Sequence, residues 1–80
     1  MLMQKLPRLS GKELIKIISK LGFKTIRQRG SHVFMAKETD KEKITTVVPL
    51  HNEIDRGTLL EIIRQIKLTK EQFLELVDNQ

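Results

Sequence analysis

An 80-residue chain has room for one domain, expected over residues 1–80, and without cysteine it has no disulfide, thiol catalyst or cysteine-bound zinc. Two histidines fall short of the three protein ligands of a familiar catalytic zinc site, so neither metal nor cofactor is expected. No apolar stretch approaches the roughly 20 residues that cross a bilayer, and Met1 to Pro7 lacks a signal peptide's apolar region, which predicts a cytoplasmic protein that does not engage membranes.

The first element opens on Ser10-Gly11-Lys12-Glu13, a capping-box pattern in which hydroxyl and carboxylate each satisfy the other residue's backbone N–H. Leu14, Ile15, Ile17, Ile18 and Leu21 then recur on one helical face, with Lys12, Lys16 and Lys20 opposite, and Gly22 closes the helix at about residue 21. From Phe23 the period shortens. Residues 23–29 and 32–37 read as strands joined by a Gly30-Ser31 turn, and a third strand runs from Lys43 to Val48 after the polar connection 38–42. A loop over 50–55 leads into a second amphipathic helix ending near Ile66. A second capping pattern, Thr69-Lys70-Glu71-Gln72, begins a short third helix.

The fold class is therefore α+β, in the order α-β-β-β-α-α. A three-stranded antiparallel sheet must bury one face, and two helices with single apolar stripes are the natural cover. The other face is left to solvent or a ligand. This layout resembles the double-stranded-RNA-binding domain.

Charge agrees with a polyanion surface. Net charge is +5, yet residues 1–37 hold 9 Lys+Arg and one acid, while residues 38–80 hold 6 Lys+Arg and 9 acids. Such asymmetry points to nucleic acid.

The densest polar cluster is Lys24, Arg27, Arg29, Gly30, Ser31 and His32. Arg27 and Arg29 are two apart on a strand and share a face. Guanidinium forks suit phosphate oxygens, and imidazole exchanges protons near neutrality. Together they suit RNA cleavage without metal, because the ribose 2′-hydroxyl supplies the nucleophile and the protein only moves protons and stabilises charge. Structural alternatives stand beside this. Arg27 and Arg29 would equally wet an edge strand, Ser31 would equally bond its own turn, and His51 reads as a structural or helix-start contact. Phe23, Phe34 and Phe73 are expected in the core, too few for a base-stacking platform.

At this cluster the sequence resembles the HicA (YcfA-like) family of small bacterial mRNA-interferase toxins. The resemblance runs through Leu6-Pro7-Arg8-Leu9-Ser10-Gly11-Lys12-Glu13-Leu14, Leu21-Gly22-Phe23 and Arg27-Gln28-Arg29-Gly30-Ser31-His32. It continues through Val48-Pro49-Leu50-His51, Gly57-Thr58-Leu59 and Ile62-Ile63-Arg64-Gln65. It implies a fold similar to the double-stranded-RNA-binding domain and a catalytic histidine in the Gly-Ser-His motif, here His32. It also implies a HicB-like antitoxin that covers the active site, with DNA contacted only through that antitoxin. The expectation is a toxin endoribonuclease acting on mRNA. The alternative is a non-catalytic module or inactive homologue of the same fold, acting through RNA or protein binding.

Overall fold

The computed structural model describes residues 5–79; the stretch Met1 to Gln4, read above for a signal peptide, lies outside them. The elements are α1 (Gly11–Ser19), β1 (Lys24–Arg29), β2 (His32–Glu38), β3 (Lys43–Pro49), α2 (Arg56–Gln65) and α3 (Lys70–Asp78). The strands form one antiparallel sheet in the order β1-β2-β3, as the α-β-β-β-α-α reading requires.

Each helix begins as its sequence dictates. Ser10 Oγ accepts from Glu13 N–H while Ser10 N–H donates to the Glu13 carboxylate, and Thr69 with Gln72 repeats the exchange at α3. The bonds from Ser10 hold the Glu13 carboxyl below its ordinary value. At α2 the cap is Asp55, whose carboxylate accepts from Thr58 N–H and Oγ1 and is likewise held low. Helix α1 ends at Ser19, slightly earlier than its periodicity suggests, and the chain turns through Gly22 at φ +96°. Helix α2 ends without glycine. Lys67 takes a positive φ of 67°, and the N–H groups of Lys67 and Leu68 reach back to the carbonyls of Arg64 and Ile63, the pairing of a Schellman close.

The core lies between the helices and one sheet face. Leu14, Ile17 and Ile18 of α1 and Leu59, Ile62 and Ile63 of α2 pack with Val33, Met35 and Val48, and Phe73 of α3 completes the cluster. The buried Thr46 hydroxyl donates to Gln65 Oε1 at 2.7 Å, joining β3 to α2. At the start of α1 the packing leaves no room for a side chain: a Cβ on Gly11 would run into the Pro49 carbonyl and come within 2.8 Å of Leu50 Cα. Gly11 N–H donates to the His51 carbonyl at 2.9 Å, so His51 serves the helix start through its backbone.

Phe34 departs from its expected place. Phe23 and Phe73 are buried, whereas Phe34 is only half-buried and opposes Arg27 and Val47 across the ladder. The run Val33-Phe34-Met35 is apolar throughout, so composition gave no parity. The sheet gives it: Val33 and Met35 face the helices, and Phe34 faces away.

A candidate nucleic-acid interface on the open sheet face

The helix-free face of the sheet is where the polar cluster assembles. Directly opposed residues of antiparallel strands project to the same side. Arg29 opposes His32, Arg27 opposes Phe34 and Lys24 opposes Ala36, while the intervening Val33 and Met35 are buried against the helices. Lys24, Arg27, Arg29 and His32 thus share the face that no helix covers, and all four are exposed.

This convergence depends on a β-bulge. The register slips between Thr25 and Arg27, leaving Ile26 as an additional residue on β1. Strict alternation would send Lys24 to the side opposite Arg27 and Arg29. One inserted residue reverses that parity and returns Lys24 to the arginines' side, a known use of bulges beside functional sites.

The hairpin turn brings His32 back beside Arg29. Gly30 adopts φ +57° at the first position of the two-residue turn, where the tight hairpins that match strand twist call for glycine. Gln28 Nε2 donates to the Gly30 carbonyl at 3.0 Å. Leu50 N–H donates to the Ser31 carbonyl at 2.6 Å, so the turn is tied from its far side to the loop that follows β3. The predicted site residues Lys24, Arg27, Arg29, Gly30, Ser31 and His32 therefore lie along one hairpin.

The local field is cationic. Among the described residues, neither Lys24, Arg27 nor Arg29 takes part in an ion pair; the ion pairs join Arg8 to Glu53, Arg64 to Glu61 and Lys67 to Glu42. Arg27 instead lies over the Phe34 ring, 4.7 Å from its centroid, a cation–π contact that positions the guanidinium without neutralising it. Beside it is a hollow of about 430 Å³ lined by Ile26, Arg27, Phe34, Thr45 and Val47. Sequence reasoning missed this hollow, because Phe34 reads as core and the Ile26 bulge has no marker in β1. A separate cleft of about 440 Å³, lined by Leu6, Pro7, Ile54 and Leu59 with Lys5, Arg8, Arg56 and Lys70 around them, includes none of the predicted site residues. Among the described residues no group of three or more His, Asp or Glu side chains gathers as a metal site would require.

Helices packed on one face of a three-stranded antiparallel sheet, with exposed cations and an imidazole on the other, define a small α+β domain. The comparison with known families is specific: the family described as HicA toxin of bacterial toxin–antitoxin systems matches residues 11–68. The chain belongs to the HicA toxin family, so its biological setting is a toxin–antitoxin system with an antitoxin partner. No curated protein and no solved structure matches the chain. No helix among the described residues is long and apolar enough to cross a membrane.

Proposed function

We propose that the chain is a cytoplasmic endoribonuclease toxin that cleaves mRNA on the open sheet face, with His32 as its proton-transfer group. The observation that carries this reading is the pairing of His32 with Arg29 across the hairpin, on the same face as Arg27 and Lys24. Cleavage requires the 2′-hydroxyl oxygen to bond to the adjacent phosphorus while the bond from phosphorus to the 5′-oxygen breaks. One proton leaves the 2′-hydroxyl and one reaches the departing 5′-oxygen, and His32 serves one of these two transfers. Arg27, Arg29 and Lys24 hold the phosphate and offset the charge that builds on it. The Gly30-Ser31 turn lets the backbone approach closely. The nucleophile is the RNA's own hydroxyl, so the chemistry needs no metal, and DNA lacks the group that attacks.

A single imidazole beside two arginines makes a modest catalyst, since one positioned acid or base contributes about 10²–10⁴-fold. The antitoxin, a HicB-like protein, acts in this reading by covering the hairpin face, and any DNA contact is made through it. Expression of the chain alone in bacteria tests the proposal. The wild type is expected to arrest growth and degrade mRNA, while His32→Ala does neither and melts at the wild-type temperature. An equally toxic alanine variant would remove His32 from the mechanism. Loss of toxicity with intact RNA in both strains would favour a binding module.

A further inference from the structure

We infer that the hollow beside Arg27 is a nucleobase subsite, which holds the base of a nucleotide flanking the cut and confers sequence preference. This rests on the reading of the hairpin face as an RNA surface and extends it from phosphate to base. The hollow is formed by Ile26, Arg27, Phe34, Thr45 and Val47.

Four observations converge on a base. First, Ile26 is 54% exposed. A solitary exposed isoleucine is unremarkable, but this one is the residue added by the bulge and lines the same concavity as Phe34 and Val47. Second, Arg27 is held over the Phe34 ring, which presents the planar guanidinium beside the hollow as a surface on which a base stacks. Third, Phe34 follows His32 by two residues on the same face, about 7 Å along the strand, the reach of one neighbouring nucleotide. Fourth, the surroundings favour a polyanion over an apolar peptide. Lys24 and Arg29 lie on β1 on the same sheet face as Arg27, and no acidic residue lines the hollow. Of the two threonines in the lining, Thr46 is buried and donates to Gln65, which leaves the exposed Thr45 hydroxyl, beside Arg27, to hydrogen-bond a base edge.

The test reads binding, not cleavage. In the His32→Ala chain, affinity is measured by fluorescence anisotropy for short oligoribonucleotides in which a single abasic nucleotide is walked through the sequence. One position is expected to lose about 5- to 150-fold when its base is removed, the range of a base stacked on a protein side chain. Adding Ile26→Ala should abolish that penalty while leaving affinity for the abasic oligonucleotide unchanged; Phe34→Ala should also abolish it, lowering abasic affinity by no more than Arg27→Ala does. Ile26 is exposed, so its variant carries the test if Phe34→Ala does not fold. A penalty below twofold at every position overturns the inference, as does a penalty that survives both substitutions. Variants that bind RNA as the parent does but no longer bind an antitoxin protein would also overturn it, making the hollow a protein contact. A chain that shows the base-dependent penalty yet cuts no RNA when His32 is restored would refute the nuclease reading alone and leave the subsite standing.

Discussion

The two edge strands of the sheet have opposite fates. Strand β3 lies beneath α1 and α2; Thr46, Val48 and Pro49 are buried, and a hydrogen bond fastens Thr46 to α2. Strand β1 is exposed at all six positions and carries a bulge, three cations and an unprotected isoleucine. The helices cover one side of the sheet and shelter β3, leaving β1 to be held chiefly by its ladder with β2. The lesson is a division of labour within one small sheet: β3 supplies burial, and β1 with the hairpin turn leaves its side chains exposed and free of the core. Exposed cations on β1 also discourage a second sheet from pairing there.

That division can be broken in measurable ways. The largest effect is expected at the hairpin: His32→Ala should lower RNA cleavage by about 10²–10⁴-fold while shifting unfolding free energy by no more than about 0.5 kcal/mol, the usual limit for a surface change. A loss of stability alongside activity would mean that His32 supports the fold. Next comes the other edge. Gly11→Ala forces a methyl into the Pro49–Leu50 backbone and should cost about 1–3 kcal/mol in urea unfolding, with activity per folded molecule retained. If the variant were as stable as wild type, the close approach of α1 to β3 would be wrong.

Smaller effects sharpen the contrast. Arg27→Ala and Arg29→Ala should each weaken RNA binding and reduce the slope of log affinity against log salt by about 1, with stability unchanged. An unchanged slope would return the arginines to solvating the edge. The smallest effect concerns the helix caps. Glu13 and Asp55 have carboxyls held below their ordinary values by capping bonds. Their folded-state pKa values lie beneath the unfolded ones, so their contribution is complete above about pH 5, clear of the ordinary carboxyl range, and is lost as pH falls through the folded values. Thermal melts should therefore decline progressively below about pH 5, and Asp55→Asn should flatten the decline.

Much of this was readable from residue order. The capping boxes at Ser10 and Thr69 give their helices a local chemical start, so both begin where the pattern puts them. The grouping of Arg27, Arg29, Gly30, Ser31 and His32 is also local, since a hairpin with a two-residue turn sets neighbours opposite one another. Other features have no local cause. Helix α2 stops at a lysine in a glycine conformation. Phe34 sits in an apolar run that fits either face.

Sequence alone determined the order of elements, the helix starts and the cationic hairpin with its imidazole, because capping, alternation and tight turns act over a few adjacent residues. Tertiary structure alone decided which side of the sheet the helices take, that Phe34 faces away from them, and that a bulge at Ile26 carries Lys24 to the arginines' side. Those outcomes rest on pairing between strands and on which surface the helices bury, and neither is encoded in any short stretch of chain.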